Sequence, residues 1–234
     1  MTESHDPMGR AIAEFHETGR AARLRVFSPM FDEDEIPVHT LFRTFESMPP
    51  LEQRALCLAR GRTLDVGAGA GYHTLALQER GLDVTAIDIS PLAVKTMKSR
   101  GVEKAIERNF FDLDATGPFD TIIMLMNGIG IAGTLSKLPL LFDQLDKLMA
   151  TGGQLLFDST DLSYLFDSDD EKPHNQYYGE LSYTMQYRHT MGRPFNWLYI
   201  DFDTLSTVAR QQGFKAELIA KGPHFDYLAR IVRP

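Results

Sequence analysis

Cysteine is almost absent from this 234-residue sequence, which has only Cys57, and it contains a single tryptophan. One cysteine excludes an internal disulfide, and the seven histidines show no spacing typical of a metal site. The sequence therefore predicts neither a disulfide-stapled secreted domain nor a metal centre. A reducing cytoplasm is the expected location.

Long apolar runs and excess basic charge are also missing. No apolar run approaches the ~20 residues of a membrane helix, and the polar, acidic stretch from Met1 to Pro7 is unlike a secretory signal. A formal net charge of −8 works against long nucleic acids, whose binding depends on Lys and Arg. We expect no membrane partner and no long nucleic-acid partner, and no pattern specifies an oligomeric state.

A strand, a glycine turn, a helix and a second strand follow one another between residues 63 and 88. Leu64 to Val66 has the apolar character of a buried strand, and three glycines in 67–71 let the backbone turn sharply and approach a ligand. Tyr72 to Arg80 predicts a helix. The next strand, Leu82 to Ile87, ends on Asp88, whose carboxylate can accept both hydroxyls of a ribose. Together these elements predict a nucleoside-binding βαβ unit.

The glycine spacing distinguishes two cofactor classes that use such a unit. The dinucleotide pattern G-x-G-x-x-G, aligned on Gly67 and Gly69, places Tyr72 where a small residue is needed, and a bulky ring fits a pyrophosphate turn poorly. The pattern D-x-G-x-G-x-G is matched in full, with Asp65 two residues before the first glycine. A carboxylate repels a pyrophosphate but suits a cation such as the ammonium group of S-adenosylmethionine.

Apolar strands and helices alternate through the rest of the chain and predict an α/β, doubly wound sheet. In the first third we expect a helix over 7–16 capped by Asp6, a strand over 23–27, an acidic loop over 32–35, a helical stretch over 39–45 and a helix over 50–60. After Asp88 we expect helices from Ser90 to Gly101, 138–149 and 203–212, and strands over 102–106, 119–126, 154–158, 215–220 and 226–232, with Gly152-Gly153 as a turn. The last two strands have no helix between them and predict an antiparallel hairpin, and alternation over 179–189 and 195–200 predicts an inserted hairpin.

With these motifs, residues from about 60 to 234 resemble the class I S-adenosylmethionine-dependent methyltransferases. The whole chain, including Glu35-Ile36-Pro37-Val38 and Asn127-Gly128-Ile129-Gly130, resembles a bacterial branch of that family whose substrate is undefined. The resemblance implies a mostly parallel, Rossmann-like sheet of seven strands. It also implies a helical cap over the cofactor and substrate cleft in 1–60, and a core in 61–234 with an inserted hairpin at about 177–200.

The resemblance also implies a set of residues that bind S-adenosylmethionine and its product S-adenosylhomocysteine. These are Asp65, Gly67, Ala68, Gly69, Gly71, Tyr72, His73, Asp88, Ile89, Phe111, Asp112 and Asn127. Asp65 and Gly67 would hold the methionine part, and Asp88 the ribose. Ile89 would pack on the adenine, while Asp112 and the amide of Phe111 would read its edge. For His73, a helix residue bonded to solvent or backbone is an equal alternative.

Asn127 matches the start of the motif that reads Asn-Pro-Pro-Tyr in family members that methylate adenine N6 or glutamine. Here the motif reads Asn-Gly-Ile-Gly, and this loss of the clamp for a planar amide or amino group favours a small-molecule acceptor. Asn127 also suits a structural role, as a residue that caps the turn after a strand. Asp158 and His39 are further candidates for catalytic residues, and His189 and His224 are additional candidates for a general base. A base is needed only if the nucleophile is a hydroxyl or a carbon acid.

Aromatic side chains in the last third of the chain have two interpretations. The residues are Tyr177, Tyr178, Phe195, Trp197 and Tyr199. In one interpretation they line an acceptor pocket, and in the other they belong to the core. The cluster Arg20, Arg23 and Arg25 is interpreted as a solvated face. The acidic run 32–35 has two interpretations: it attracts a cationic acceptor, or it is an exposed acidic loop.

The predicted function is transfer of a methyl group from S-adenosylmethionine to a small molecule by in-line displacement. Two alternatives stay open: a nicotinamide-dependent oxidoreductase on a related fold, and a protein that binds S-adenosylmethionine or S-adenosylhomocysteine without catalysis.

Overall fold

A computed structural model of the protein describes residues 3–114, 117–168 and 171–234. The helices are α1 (Pro7–Thr18), α2 (Pro50–Leu58), α3 (Tyr72–Glu79), α4 (Pro91–Ser99), α5 (Leu138–Leu148) and α6 (Phe202–Gln211). The strands are β1 (Leu24–Ser28), β2 (Phe31–Ile36), β3 (Thr63–Val66), β4 (Val84–Asp88), β5 (Ala105–Glu107), β6 (Phe119–Met124), β7 (Met149–Thr160), β8 (Glu180–Tyr187), β9 (Thr190–Met191), β10 (Phe195–Leu198), β11 (Lys215–Lys221) and β12 (Asp226–Val232). None of the helices in these ranges has the length and apolar character needed to cross a membrane.

The chain divides into two compact units. The first contains Met1–Met48, Arg62–Leu113 and Ser182–Phe195, and the second contains Pro49–Gly61, Asp114–Leu181 and Asn196–Pro234. Residues 1–60, the predicted cap, therefore contribute to both units.

The larger sheet has seven strands. In the first unit β3, β4 and β5 run parallel, with Leu64 opposite Thr85 and Ile87 opposite Ile106. In the second unit β6 runs parallel to β7, while β12 is antiparallel to both β7 and β11. The predicted doubly wound, mostly parallel sheet with an antiparallel carboxyl-terminal hairpin is confirmed.

Local chemistry sets the helix boundaries as the sequence predicts. Asp6 accepts a hydrogen bond from the Gly9 amide at the start of α1, and Ser90 does the same for Ala93 at the start of α4. Gly213 follows α6 with a left-handed φ of 79°, a conformation that side-chain-bearing residues rarely adopt. These caps end or begin helices within one or two residues of the predicted positions.

A smaller sheet joins the predicted cap and the inserted hairpin within the first unit. Strand β1 pairs antiparallel with β2 and with β8, placing Leu24 opposite Tyr187. Leu24 and Tyr187 are buried with Ala11 of α1 in one apolar cluster. The insertion is therefore an extension of the cap's own strand pairing, and β8 turns into the short β9 through Arg188 at φ 53°.

The prediction of an acidic loop over 32–35 is wrong, because these residues lie in β2. The Nε of Arg25 donates to Glu33 at 2.6 Å, and the Nε of Arg23 donates to Glu35 at 2.5 Å. Oppositely charged pairs across neighbouring strands neutralise the acidic run, which alone is unfavourable for strand formation. The arginines, interpreted as a solvated face, are the partners that this strand needs.

Four further predictions need correction. Residues 39–45 do not form one helical stretch but belong to two short 3₁₀ turns, Val38–Phe42 and Phe45–Ser47. Gly152-Gly153 is not a turn between elements, because β7 runs through it with an irregular register against β6. The predicted strands over 102–106 and 119–126 are shifted or shortened, and β6 stops before Met126 and Asn127 because both adopt positive φ.

Two leucines on α5 test how much the buried face of that helix contributes. Leu145 is fully buried and Leu140 is 56% exposed. Leu145→Ala should lower the free energy of unfolding by about 2–5 kcal/mol, because it leaves a cavity, whereas Leu140→Ala should change it by roughly 0.5 kcal/mol or less. Urea denaturation measures both, and equal losses would show that the packing of α5 is not as described.

Candidate active site

The glycine loop connects β3 to α3 and carries three left-handed residues. Gly67, Gly69 and Gly71 have φ of 71°, 56° and 79°. The amides of Gly67 and Ala68 donate to the Ile87 carbonyl at 2.9 and 3.1 Å, which ties the loop to β4. The loop is thus fixed at the carboxyl ends of two neighbouring strands, the edge where α/β sheets bind ligands.

The three glycines differ in what surrounds them. A Cβ on Gly67 would meet nothing within 4 Å, and one on Gly69 would meet only the Ile12 side chain, at 3.9 Å. A Cβ on Gly71 would lie 2.9 Å from side-chain carbons of both Met97 and Val102. Gly71 is therefore required by packing, whereas Gly67 and Gly69 leave an open face beside the backbone.

Asp88 lies at the end of β4 and is fixed by backbone donors. Its Oδ2 accepts from the Gly69 amide at 2.9 Å and its Oδ1 accepts from the Ser90 amide at 2.8 Å. Burial raises the pKa of Asp88 to about 6, the two amides oppose that shift, and the charges of Asp6 and Asp65 add to it. Each carboxylate oxygen keeps further acceptor capacity, so the group can still bind two hydroxyls.

Asp65 is 2% exposed and lies beneath the loop rather than on its surface. Its Oδ2 accepts from the Thr74 hydroxyl of α3 at 2.6 Å. Burial raises the pKa of Asp65, while His73 and the hydrogen bond from Thr74 act in the opposite direction. In the structure this carboxylate anchors the first turn of α3, and Tyr72 and His73 in that turn are also buried, with ring centroids 3.9 Å apart.

The residues predicted to contact adenine lie at the ends of β4 and β5. Ile89, next to Asp88, is 45% exposed. Phe111 and Asp112 belong to a 3₁₀ turn, where the Phe111 amide donates to the Asn109 side chain at 3.1 Å and Asp112 is exposed. The amide of Phe111 is therefore already engaged, and the Asp112 carboxylate is the accessible polar group.

The first helix covers the glycine loop inside the first unit. Ile12 of α1 is fully buried in a cluster with Leu41, Ala70 and Ala93. Arg100 donates to the Ala70 carbonyl and lies 4.6 Å over the Phe42 ring. The loop is thereby held by apolar contacts on one side and by a cation on its backbone.

A second group of predicted residues meets in the second unit. The backbone N–H of Asn127 donates to Asp158 Oδ2 at 3.0 Å. The Thr160 hydroxyl donates to Oδ1 of the Asn127 side chain at 3.1 Å. Met126 and Asn127 both have left-handed φ, 62° and 55°, which is uncommon for residues with side chains and occurs at functional sites. The structure thus brings Asn127 and Asp158 together; His39, in the first unit, is exposed on a 3₁₀ turn.

Sequence reasoning missed a network of tyrosines and carboxylates in the second unit. Tyr177 donates to Asp201 at 2.5 Å, and Tyr178 donates to Asp161 at 2.7 Å. Burial raises the pKa of both phenols, so they remain donors at neutral pH. The only available signal was that both aspartates precede helical turns as caps.

Comparison with known proteins identifies the family. The model of a methyltransferase domain matches residues 39–218. An S-adenosylmethionine-dependent methyltransferase from Bacteroides fragilis, solved in complex with S-adenosyl-L-homocysteine, is 54% identical over 100% of this chain and 97% of its own, with a TM-score of 0.94. The chain belongs to the S-adenosylmethionine-dependent methyltransferases.

Curated relatives of this methyltransferase match only in part. The cypemycin N-terminal methyltransferase of a Streptomyces species is 30% identical over 43% of this chain and 43% of its own length. The ubiquinone biosynthesis O-methyltransferase of Xanthomonas oryzae pv. oryzae is 38% identical over 29% of this chain and 31% of its own length. The chain thus spans less than half the length of these curated relatives. A structure named as a DhpI complex with SAM and HEP, 17% identical with a TM-score of 0.63 over 100% of both chains, supports the fold alone.

Membership of this family confirms the predicted enzyme class and cofactor class. It removes the support for a nicotinamide-dependent oxidoreductase, which rested on the βαβ unit alone. The predicted site residues divide between the two units: the glycine loop, Asp88, Ile89, Phe111 and Asp112 in the first, and Asn127 and Asp158 in the second.

Alanine substitutions at two of the loop glycines test their different roles in this methyltransferase. Gly67→Ala should lower the free energy of unfolding by about 1–2 kcal/mol, the cost of a left-handed backbone at a residue with a Cβ. Gly71→Ala should cost about 1–3 kcal/mol more, because its Cβ also overlaps Met97 and Val102. Urea denaturation compares the two variants, and a Gly67→Ala variant as unstable as Gly71→Ala would contradict the open face.

Proposed function

We propose that this methyltransferase moves a methyl group from S-adenosylmethionine to a small-molecule acceptor. The observation that carries the proposal is the Asp88 carboxylate, fixed by two backbone amides beside the open faces of Gly67 and Gly69. A fixed carboxylate next to a backbone without side chains fits a ribose with two hydroxyl donors and a neighbouring chain that passes close to the loop.

Some of the remaining predicted residues have surroundings that support a proposed role. Half-exposed Ile89 is proposed to pack on the adenine, and exposed Asp112 to accept from its amino group. Gly67 and the charge of Asp65 are proposed to favour the methionine part of the cofactor. Because Asp65 is buried and accepts a hydrogen bond from Thr74, its proposed contribution is electrostatic: its negative charge attracts the ammonium group of the cofactor at the loop, in addition to its structural hydrogen bond. We also propose that residues 1–60 cap the cofactor, and the contact of Ile12 with the loop supports this.

Methyl transfer needs alignment more than acid or base strength. When bound, S-adenosylmethionine supplies an electrophilic methyl carbon on a good leaving group. The protein's part is to hold the cofactor at the loop and Asp88, hold the acceptor in line with it, and limit the access of water.

Asn127 is proposed to position the acceptor. Its amide oxygen is engaged by Thr160, so its NH₂ group is the end that can donate to an electron-rich acceptor atom. An amino group, which presents hydrogens, suits this arrangement less well than a hydroxyl, carboxylate or carbonyl oxygen. If the nucleophile is a hydroxyl, Asp158 beside Asn127 is the proposed base.

The proposal extends to partners and location. Among the relatives, one is named for O-methylation in ubiquinone biosynthesis and one for an N-terminal methylation, so different acceptor chemistries occur in this family. A small-molecule acceptor and a cytoplasmic location agree with the net charge of −8 and with a single, exposed cysteine. Catalytic roles for Asn127, Asp158 and exposed His39 remain predictions.

The cofactor assignment is tested by calorimetric titration with S-adenosylmethionine, S-adenosylhomocysteine and NAD. We expect micromolar binding of the first two and none of NAD. Asp88→Ala should weaken S-adenosylhomocysteine binding about a hundredfold or more, because two hydrogen bonds to a charged group are lost. Asp83→Ala, which removes an exposed carboxylate paired with Lys104, is the matched control. Unchanged affinity in Asp88→Ala would refute the ribose site, and binding of NAD alone would restore the oxidoreductase.

The acceptor assignment is tested by removing the hydroxyl that orients Asn127. Once a screen of oxygen nucleophiles identifies an acceptor, Thr160→Val should lower kcat/KM for it about tenfold while S-adenosylhomocysteine affinity changes less than twofold. Thr190→Val makes the same change in strand β9 and should leave both unchanged. Cofactor binding without any turnover in the screen would favour the non-catalytic binding protein, and full activity in Thr160→Val would refute the role of Asn127.

A further inference from the structure

Asp6 is a buried acid whose surroundings go beyond the capping of a helix. It is 1% exposed. One carboxylate oxygen, Oδ1, accepts from the Gly9 amide at 2.8 Å, the usual bond of an N-cap. The other, Oδ2, accepts from the Ser90 hydroxyl at 2.5 Å, although the two residues are 84 positions apart. A cap alone requires only the first of these bonds.

The Ser90 hydroxyl both donates and accepts. It donates its one hydrogen to Asp6, because a carboxylate has no hydrogen to give. Its oxygen accepts from the Ala93 amide at 2.9 Å, as the N-cap of α4. Ser90 is 4% exposed, so a change at Asp6 would leave a hydroxyl donor buried without its acceptor.

Ser90 then connects Asp6 to Asp88. The Ser90 amide donates to Asp88 Oδ1 at 2.8 Å, and Asp88 Oδ2 accepts from Gly69. The space around this chain of bonds is filled, since a Cβ on Gly9 would lie 2.2 Å from both Asp6 Oδ2 and Ser90 Oγ. Hydrogen bonds therefore run without a break from the start of α1 to the glycine loop.

The same arrangement brings like charges together. Burial raises the pKa of Asp88 to about 6, and the carboxylates of Asp6, the N-cap of α1, and of Asp65 on β3 are the charged groups that raise it further. Ribose hydroxyls donate to the ionised form of Asp88, so binding should weaken as the pH falls through about 6, by up to tenfold per pH unit.

We infer that Asp6 is a positioning residue for the cofactor, which holds the Ser90 hydroxyl and through it the orientation of the Asp88 carboxylate. The inference rests on the proposed function, in which Asp88 binds the ribose. Asp6 lies outside residues 39–218, so the match to the methyltransferase-domain model does not include it. In this chain the first helix is thus part of the cofactor site by hydrogen bonds as well as by apolar cover.

The test replaces Asp6 by serine, which caps a helix about as well as aspartate but is too short to reach Ser90 and carries no charge. S-adenosylhomocysteine binding by the full-length protein is titrated from pH 5 to pH 8.5. At pH 8, where Asp88 is ionised, Asp6→Ser should bind about tenfold more weakly than the natural protein. As the pH falls, the affinity of Asp6→Ser should begin to weaken at a lower pH than that of the natural protein, because one negative neighbour of Asp88 is gone.

One control and one further variant separate positioning from general effects. Glu17→Gln removes one exposed carboxylate from the same helix and should leave the affinity and the pH profile unchanged. Asp6→Asn is the second variant, because asparagine also caps helices and lacks the charge; it gives the same test if Asp6→Ser does not fold.

A capping role alone predicts that Asp6→Ser binds like the natural protein, so an affinity within twofold at pH 8 or an unshifted pH profile would overturn the inference. If the natural protein itself does not bind S-adenosylhomocysteine, the proposed function fails and this inference fails with it. If Asp88→Ala loses binding but Asp6→Ser does not, only the positioning role is refuted.

Discussion

One interaction organises the first unit: two backbone amides hold the Asp88 carboxylate at the end of the buried strand β4. Burial raises the pKa of Asp88 to about 6 and so disfavours the ionised form, which the proposed ribose contact needs. The amides of Gly69 and Ser90 compensate in part, because each donates to one oxygen. The glycine loop and the start of α4 are linked through this side chain, since each directs a backbone N–H at it.

The glycines of the loop serve this constraint in different ways. Gly69 adopts a left-handed φ of 56° and directs its amide to Asp88. Gly71 instead permits the packing of α3 against α4 and Val102, where no Cβ fits. The three glycines are equivalent in the sequence motif. Only the packing around each one shows that Gly71 is needed for the fold, whereas Gly67 and Gly69 leave open space beside the backbone.

Local chemistry was predictable from the sequence, and contacts between distant residues were not. The caps Asp6 and Ser90 and the βαβ unit depend on neighbours within a few positions, and the sequence predicts them correctly. The bond between Asp6 and Ser90, the pairing of β1 with β8, and the tyrosines on Asp161 and Asp201 join residues far apart in the chain. Strand β2 was missed for the same reason, because four consecutive acidic residues form a strand only when arginines lie opposite them.

The glycines of the Asn127 motif illustrate how packing can imitate a functional signature. A Cβ on Gly130 would lie 2.1 Å from Trp197 Nε1, and one on Gly128 would lie 3.0 Å from Met124 Cβ. Gly130 is therefore required by the protein's own interior and Gly128 has little room for a side chain, so their presence says nothing directly about an acceptor. The proposed acceptor role of Asn127 rests instead on its left-handed backbone and on its bond from Thr160, which together leave its side-chain NH₂ group as a fixed donor.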